Sequence, residues 1–166
     1  KFTERWPTVE ALAAAKDEEV MSAWAGLGYY ARARNLLKCA REVAARGGFP
    51  ETEAELRKLP GVGPYTAGAI ASIAFGHSIT AVDGNVERVL ARHGGITQQV
   101  KSGAGAKAIR ASAESVLDRN RPGDFNQAIM ELGATICTPT SPSCDRCPVA
   151  HDCIARIDKR VHDLPV

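Results

Sequence analysis

The most informative stretch of the sequence is Leu59-Pro60-Gly61-Val62-Gly63-Pro64-Tyr65-Thr66-Ala67-Gly68. It places a glycine turn between two segments with helical patterns. Thr52 and Glu55 precede it at capping-box spacing, which predicts a short helix ending at Leu59. Pro64 suits the first turn of a second helix. Glycines let the backbone approach a ligand, and the amides of a helix start attract anions. The stretch therefore predicts a phosphate-binding turn, although a plain tight turn between two helices would have the same pattern.

Outward from this stretch, apolar residues recur at helical spacing, and no segment alternates cleanly like a strand. Gly47 and Gly48 are expected to end a long amphipathic helix. The weakest pattern, residues 94–105, predicts a loop. The sequence therefore predicts an all-α fold. Its helices begin at or near Thr8, Asp17, Tyr30, Thr52, Pro64, Asp83 and Asp124, with a further helix around Ile109.

Length and charge limit the classes of protein that this chain can represent. Its 166 residues suffice for one compact domain or two small lobes, and the composition is ordinary for a globular protein. The net charge is only +2, so binding of nucleic acid would have to rest on local patches and backbone groups. One basic patch lies at residues 29–46, although a solvated helix face would look the same. The longest near-apolar run, residues 66–76, is too short for a membrane span.

The segment Val82-Asp83-Gly84-Asn85-Val86 carries a carboxylate at the start of a predicted helix. Asp83 is most simply the N-cap of that helix. The same position also has a chemical use, since amides at a helix start would keep the carboxylate ionised and fix its direction. An ionised carboxylate that faces a sugar stabilises an oxocarbenium ion. Both interpretations stay open from the residues alone.

Four of the five cysteines lie within one short segment, Cys137-x6-Cys144-x2-Cys147-x5-Cys153. The odd count and the clustering favour metal ligation over a disulfide framework. Four thiolates in one loop suit either an iron–sulfur cluster or a structural zinc. Zinc ribbons usually use two Cys-x-x-Cys pairs, and only one is present here, so the spacing favours the cluster. The fifth cysteine, Cys39, is predicted to be a small buried apolar group.

In this order, the glycine stretch, Asp83 and the cysteine loop resemble the helix–hairpin–helix DNA glycosylases that carry an iron–sulfur cluster. The resemblance implies a two-lobed all-α fold with double-stranded DNA bound across the cleft. It implies a six-helix-barrel lobe at residues 1–80 that lacks its N-terminal part, with the helix–hairpin–helix at 52–75. The iron–sulfur cluster lobe would occupy residues 81–166, with the cluster loop at 137–153. The implied ligands of a structural [4Fe–4S] cluster are Cys137, Cys144, Cys147 and Cys153.

Four segments are more narrowly similar to the adenine DNA glycosylases of the MutY family: Trp24–Arg34, Pro64–Gly68, Val82–Val86 and Phe125–Ala128. Endonuclease III-like members place a lysine two residues after the last glycine of the hairpin, and this amine supports strand cleavage through a Schiff base. Tyr65 occupies that position here, and a phenol forms no imine. The resemblance therefore implies a monofunctional enzyme that removes adenine paired with 8-oxoguanine or guanine.

The resemblance also assigns roles to individual residues. Asp83 matches the catalytic carboxylate, with Tyr65 and Asn85 as its neighbours in that site. Gln127 matches the residue that reads the flipped adenine, although Asp124 and Gln127 also have capping-box spacing. Tyr29 matches an aromatic wedge that enters the base stack, while Tyr30 is predicted to face the core.

The other predicted DNA contacts are two basic side chains, one residue beside the Tyr29 wedge and three residues of the hairpin. They are Leu27, Arg32, Gly61, Val62, Gly63 and Arg146. The backbone carbonyls of Leu59 and Val62 are candidate ligands of a monovalent cation at the hairpin.

Two departures from the family pattern limit these expectations. The general acid of the family is a glutamate in a Ser-Glu-x-Met-Leu-Gln-Gln-Thr stretch that the 166 residues do not contain. We therefore expect that this chain alone does not excise adenine efficiently. The loop Thr138–Ser143 carries no charge where the family usually has basic residues, so Arg146 is the nearest cation for a phosphate.

Two alternatives stay open. The first is a non-catalytic DNA-binding module on the same fold, and the second is an endonuclease III-like glycosylase and lyase. In each case we expect a monomeric protein that has no membrane segment and works inside the cell, with the genome.

Overall fold

A computed structural model describes residues 2–166 and shows helices but no strand in that range. The prediction of an all-α fold is confirmed. No helix in this range is both long and apolar enough to cross a membrane. The elements are α1 (Phe2–Arg5), α2 (Val9–Ala13), α3 (Asp17–Ala23), α4 (Tyr30–Arg46), α5 (Glu53–Leu56), α6 (Pro64–Ile73), α7 (Gly84–His93), α8 (Gly103–Val116), α9 (Pro122–Thr135), a 3₁₀ turn (Cys144–Arg146) and α10 (Ile154–Ile157).

Side-chain caps explain why several of these helices begin where they do. The side chains of Thr8, Thr52 and Asp83 accept hydrogen bonds from backbone N–H groups in the first turns of α2, α5 and α7. Each bond satisfies a donor that the helix itself leaves unpaired. Because this signal is local, it was visible in the sequence. Gly47, with a φ of 81°, ends α4 as predicted.

Two helix starts differ from the sequence-based expectation. Helix α8 begins at Gly103, inside the stretch predicted to be a loop, because the hydroxyl of Ser102 accepts a hydrogen bond from the Gly105 N–H at 3.0 Å. Helix α9 begins at Pro122 rather than at Asp124. Proline suits a first helical position because its fixed φ is already helical and its missing N–H leaves no donor unpaired there.

The chain divides into two compact units, and the first ends at Ala67, within α6. Its core packs α2 and α3 against α4 through Leu12, Val20 and Leu37. Arg41 of α4 ties these elements together on the surface. Its guanidinium donates to the carbonyls of Ala13 and Ala15 and pairs with the Asp17 carboxylate at 2.7 Å.

The second unit spans residues 68–166, and its core is built around α7. Val86, Val89 and Leu90 of this helix pack against Ile109 of α8 and Ile129 of α9. Burying each of these side chains contributes roughly 1.5–3 kcal/mol. The predicted lobe boundary between residues 80 and 81 lies further along the chain than this division and stays a prediction.

Gly68 lets α6 approach the segment that leads into α7. A Cβ atom at this position would lie 2.4 Å from the carbonyl oxygen of Thr80, which is backbone and cannot rotate away. Small side chains of the same helix, among them Ala71 and Ser72, are also buried, so α6 packs closely here.

Replacing Gly68 by alanine is therefore expected to destabilise the fold, although alanine is the better helix former by about 0.5–1 kcal/mol. The overlap with Thr80 should lower the free energy of unfolding by about 1–3 kcal/mol, which a urea titration followed by circular dichroism measures. Gly103→Ala is the matched control, since a Cβ there meets nothing within 4 Å. Equal midpoints for the two variants would contradict this explanation.

Candidate functional site

The Asp83 carboxylate is fixed at the start of α7. Its Oδ1 accepts a hydrogen bond from the Val86 N–H at 2.8 Å, and the Asn85 amide lies 3.5 Å from Oδ2. The side chain is half-buried. Because Oδ1 serves as the cap, Oδ2 is the oxygen that can face a ligand. The interpretation of Asp83 as an N-cap is thus confirmed. The cap hydrogen bond also orients the carboxylate that a chemical role would use.

Asn85 is held in turn by Arg88, one helical turn further along α7. The guanidinium of Arg88 donates to Asn85 Oδ1 at 2.8 Å and to the Gly133 carbonyl at 2.7 Å. It also donates to the carbonyl of Cys137 at 2.7 Å. A chain of hydrogen bonds therefore links the carboxylate to the first cysteine of the loop. The sequence analysis missed Arg88, because no local pattern distinguishes it from a surface arginine.

Gln127 lies on the exposed face of α9 in the same unit as Asp83. Its amide donates to the Gly123 carbonyl at 3.2 Å. The alternative role as the partner of Asp124 in a capping box is not formed, since Asp124 lies inside the first turn and pairs with Arg121 at 2.8 Å. The acceptor oxygen of the Gln127 amide is left for an external partner.

The glycine turn has the conformation that its sequence predicts. Gly61 has a φ of 75°, and a Cβ there would lie 2.6 Å from the side chain of Asn35. The Val62 N–H donates to the Leu59 carbonyl at 3.1 Å and closes the turn. Gly63 is exposed directly before α6. The first N–H groups of α6 are those that a helix leaves unpaired, so this end of the helix can receive an anion.

An exposed loop precedes α4 and carries large apolar side chains. Leu27 is 63% exposed and Tyr29 is 81% exposed. Tyr29 has a left-handed backbone, with φ 49° and ψ 48°, which is uncommon for a bulky residue and concentrates at functional sites. The Arg32 guanidinium lies 5.4 Å from the Tyr29 ring centroid and supports that ring.

The Trp24 side chain holds this loop in place. Its indole Nε1 donates to the Gly28 carbonyl at 2.9 Å. The expectation that Tyr30 faces the core is wrong, because its side chain is 44% exposed. Tyr30 is the first residue of α4 and directly follows the left-handed Tyr29.

The four cysteines of the loop line one small cavity together with Arg92 and Arg156. All four are free and half-buried. Burial raises the pKa of the Cys144 thiol, and the neighbouring thiols of Cys137, Cys153 and Cys147 raise it further. Such thiols ionise when a cationic centre binds them, so the donor set fits a metal group.

The four thiols form a donor set that suits an iron–sulfur cluster, in line with the spacing of the cysteines along the chain. Cys137, Cys144, Cys147 and Cys153 would hold such a group, since all four line one cavity.

Arg92 brings a buried positive charge to this cavity. Its side chain is 3% exposed and donates to the carbonyls of Thr138, Pro139 and Leu164 at 2.7–2.8 Å. It also lies 3.5 Å from the sulfur of Cys137. The acceptors around the Arg92 guanidinium are neutral carbonyls and one sulfur. The negative charges that this guanidinium faces are therefore those of the cysteine thiolates. The sequence analysis missed Arg92, whose partners are far away along the chain.

The remaining predicted site residues are distributed between the two units. Tyr65 is 39% exposed and belongs to the first unit, which also holds the glycine turn and the exposed loop. Arg146 is exposed on the 3₁₀ turn inside the cysteine loop. Asp83, Asn85 and the four cysteines share the second unit, where the hydrogen bonds of Arg88 connect Asn85 to the Cys137 carbonyl. Cys39 lies in α4 and is half-buried.

Two family models match this chain. One is described as HhH-GPD superfamily base excision DNA repair protein and matches residues 1–119. The other is the iron–sulfur binding domain of endonuclease III and matches residues 137–153, from the first to the last cysteine of the loop. The prediction of an iron–sulfur cluster is confirmed.

Several curated relatives are named adenine DNA glycosylase. The human protein is 52% identical over 93% of this chain, which covers 29% of the human protein. The protein from Arabidopsis thaliana is 45% identical over 93% of this chain and 28% of its own length. One from Buchnera aphidicola is 37% identical over 100% of this chain and 48% of its own length. The chain therefore spans less than half of these relatives.

Solved structures share the fold. A thermostable thymine-DNA glycosylase superposes with a TM-score of 0.81 at 29% identity, covering 95% of this chain and 73% of the other. Endonuclease III in a non-covalent complex with DNA superposes with a TM-score of 0.77 at 28% identity and the same coverage.

Replacing Arg92 by glutamine is expected to loosen the cysteine loop. The shorter, neutral side chain leaves buried carbonyls unpaired, at about 1–3 kcal/mol each, and removes the charge that faces the thiolates. The variant should lose its iron–sulfur cluster to a chelator at least about tenfold faster, as measured by the decay of visible absorbance. Arg146→Gln removes an exposed cation from the same loop and is the control. Equal decay rates for both variants and the wild type would contradict this role of Arg92.

Proposed function

We propose that this chain, which belongs to the HhH-GPD superfamily of base excision DNA repair proteins, forms the DNA-binding and catalytic surface of an adenine DNA glycosylase. The names of its curated relatives support the base specificity. Tyr65 in place of the hairpin lysine supports hydrolysis without strand cleavage. The observation that carries the proposal is the Asp83 carboxylate, whose direction the Val86 N–H fixes.

The chemistry follows from the charge that develops on the sugar. As the bond between deoxyribose and adenine breaks, the sugar becomes an oxocarbenium-like cation. A fixed, half-buried carboxylate stabilises that cation without having to reorganise. Asp83 fills this role, and Asn85 lies beside it with its amide 3.5 Å from the carboxylate. Water then adds to the sugar and leaves an abasic site. Adenine must gain a proton as it leaves, and we assign that step to no residue of this chain.

Gln127 is the residue that recognises the base in this proposal. An amide can pair bidentately with N6 and N7 of adenine, since it offers one acceptor and one donor. Its N–H bond to Gly123 is long and on an exposed face, so a base can compete with it. The adenine has to leave the helix to reach an amide in this way, which implies a flipped nucleotide in double-stranded DNA.

Several exposed groups are suited to hold the deformed duplex. Tyr29 and Leu27 supply apolar surface that can enter the base stack, and Arg32 supports the ring. The turn at Gly61, Val62 and Gly63 offers backbone N–H groups to a phosphate. Arg146 is an exposed cation of the cysteine loop and lies near its uncharged segment, Thr138–Ser143. The carbonyls of Leu59 and Val62 stay candidates for a monovalent cation at the turn.

We assign the iron–sulfur cluster to Cys137, Cys144, Cys147 and Cys153, the four cysteines that share one cavity. The cluster, when bound, supplies a cross-link that gives this loop a fixed shape. The chain's own residues hold that loop against α7 through Arg88 and Arg92. We expect the cluster to be of the [4Fe–4S] type and the protein to be monomeric. We expect it to act inside the cell, with the genome.

The proposal is tested by replacing Asp83 with asparagine in a cluster-loaded protein that joins this chain to the glutamate-bearing segment of the family. The joined protein is used because the 166 residues alone are expected to release adenine slowly. Asparagine is an equally good N-cap, so the fold should persist while the negative charge is lost. Single-turnover release of adenine from a duplex with adenine opposite 8-oxoguanine should slow by about 10²–10³-fold. The abasic product is measured as strand breaks that appear only after alkali. Binding of the duplex should stay within about twofold of the wild type.

Three outcomes would contradict the proposal. Unchanged release by Asp83→Asn would remove the carboxylate from the reaction. Strand breaks without alkali would indicate a lyase, and tight binding without any base loss would indicate a DNA-binding module. Thymine in place of adenine opposite 8-oxoguanine is the substrate control.

A further inference from the structure

Asn126 is the most deeply buried amide outside the groups already assigned, at 1% exposure. It lies on α9, directly before Gln127. Its Oδ1 accepts a hydrogen bond from the Ala81 N–H at 3.0 Å, and its Nδ2 donates to the Ile79 carbonyl and to the Ser72 hydroxyl, each at 2.8 Å. One side chain thus joins three parts of the second unit, namely α6, α9 and the segment between α6 and α7.

The segment of residues 79–82 has little regular structure of its own. It follows a turn in which the His77 N–H donates to the Ala71 carbonyl and the Ile79 N–H donates to the His77 carbonyl. It ends at Asp83, the cap of α7. The Asn126 amide is the partner of a carbonyl at Ile79 and an N–H at Ala81, two residues before the carboxylate. Buried backbone groups need such partners.

Two glycines bring α6, α9 and this segment into contact, so that the amide can reach them. A Cβ at Gly68 would lie 2.4 Å from the Thr80 carbonyl oxygen, and one at Gly123 would lie 2.8 Å from the Ser72 carbonyl oxygen. Because these approaches are backbone to backbone, the segment cannot shift toward α6. The hydrogen bonds of Asn126 fix it from the side of α9.

We propose that Asn126 is a positioning residue that sets the place of Asp83 relative to Gln127. The Val86 N–H orients the carboxylate with respect to α7, and Asn126 fixes the segment that leads into it with respect to α9, which carries Gln127. This inference rests on the proposed function of Asp83. A displacement of about 1 Å in a reacting group can cost about 10²-fold in rate, so a clamp of this kind has chemical value as well as structural value.

The test measures how strongly the site prefers a positive charge at the sugar. Two duplexes are compared, one with a neutral tetrahydrofuran abasic residue and one with a protonated pyrrolidine ring of the same size. The ratio of their dissociation constants for the cluster-loaded protein reports the carboxylate near the sugar. Asn126→Ala should bind the tetrahydrofuran duplex within about twofold of the wild type, while the preference for the cation falls at least about tenfold.

Ser72→Ala is the matched control, because it removes a partner of Asn126 in α6 without touching residues 79–82. It should lower stability comparably and keep the cation preference within about twofold. If Asn126→Ala fails to fold, Asn126→Asp makes the same comparison. The carboxylate keeps the acceptor for Ala81 but places an oxygen against the Ile79 carbonyl, so it should also lose the preference.

Asp83→Asn separates the two hypotheses in the same assay. If it abolishes the cation preference and the Asn126 variants retain it, the positioning role is wrong and the role of Asp83 stands. If Asp83→Asn retains the preference, the proposed function of Asp83 fails, and this inference fails with it. Equal losses of affinity for both duplexes in the Asn126 variants would show a purely structural amide and would also overturn the proposal.

Discussion

The hydrogen bond from the Val86 N–H to the Asp83 carboxylate is the interaction on which the rest of the second unit depends. It begins α7, and the apolar side chains of α7 form the centre of the core. It also gives one carboxylate oxygen a fixed partner, so the other has a defined direction. The side chain that begins the helix is also the one to which we assign the chemistry. The charge-neutral replacement Asp83→Asn can separate the two roles because an amide caps a helix as well as a carboxylate does.

Two arginines of α7 extend this arrangement to the cysteine loop. Arg88 and Arg92 are one turn apart and donate to carbonyls between Gly133 and Pro139 and to that of Leu164. A buried guanidinium is costly unless its donors and its charge are matched. The carbonyls match the donors, and the thiolates that we propose as cluster ligands match the charge. Loop, helix and C-terminal segment therefore depend on one another for their stability.

Sequence reasoning succeeded where the cause is local. Thr8, Thr52 and Asp83 cap helices because a side chain reaches an amide three residues away, and the spacing of the four cysteines is itself the evidence for a shared metal group. It failed where the partner is distant. Asn126 binds residues 45 to 54 positions away, and Arg92 binds Leu164 across 72 positions. A left-handed Tyr29 was likewise not predictable, since nothing nearby marks that backbone, and the start of α8 was misjudged because one serine cap outweighed a weak apolar pattern.

At position 29, fold stability and the proposed recognition of DNA favour different residues. A left-handed conformation costs a non-glycine residue roughly 1–2 kcal/mol, and the exposed ring regains little of this by packing. Glycine would relieve the strain, but it would remove the only large ring in the loop at residues 26–29. Directed evolution for heat resistance alone would therefore tend to remove this aromatic group, whereas selection for repair would retain it under the role that we propose for Tyr29.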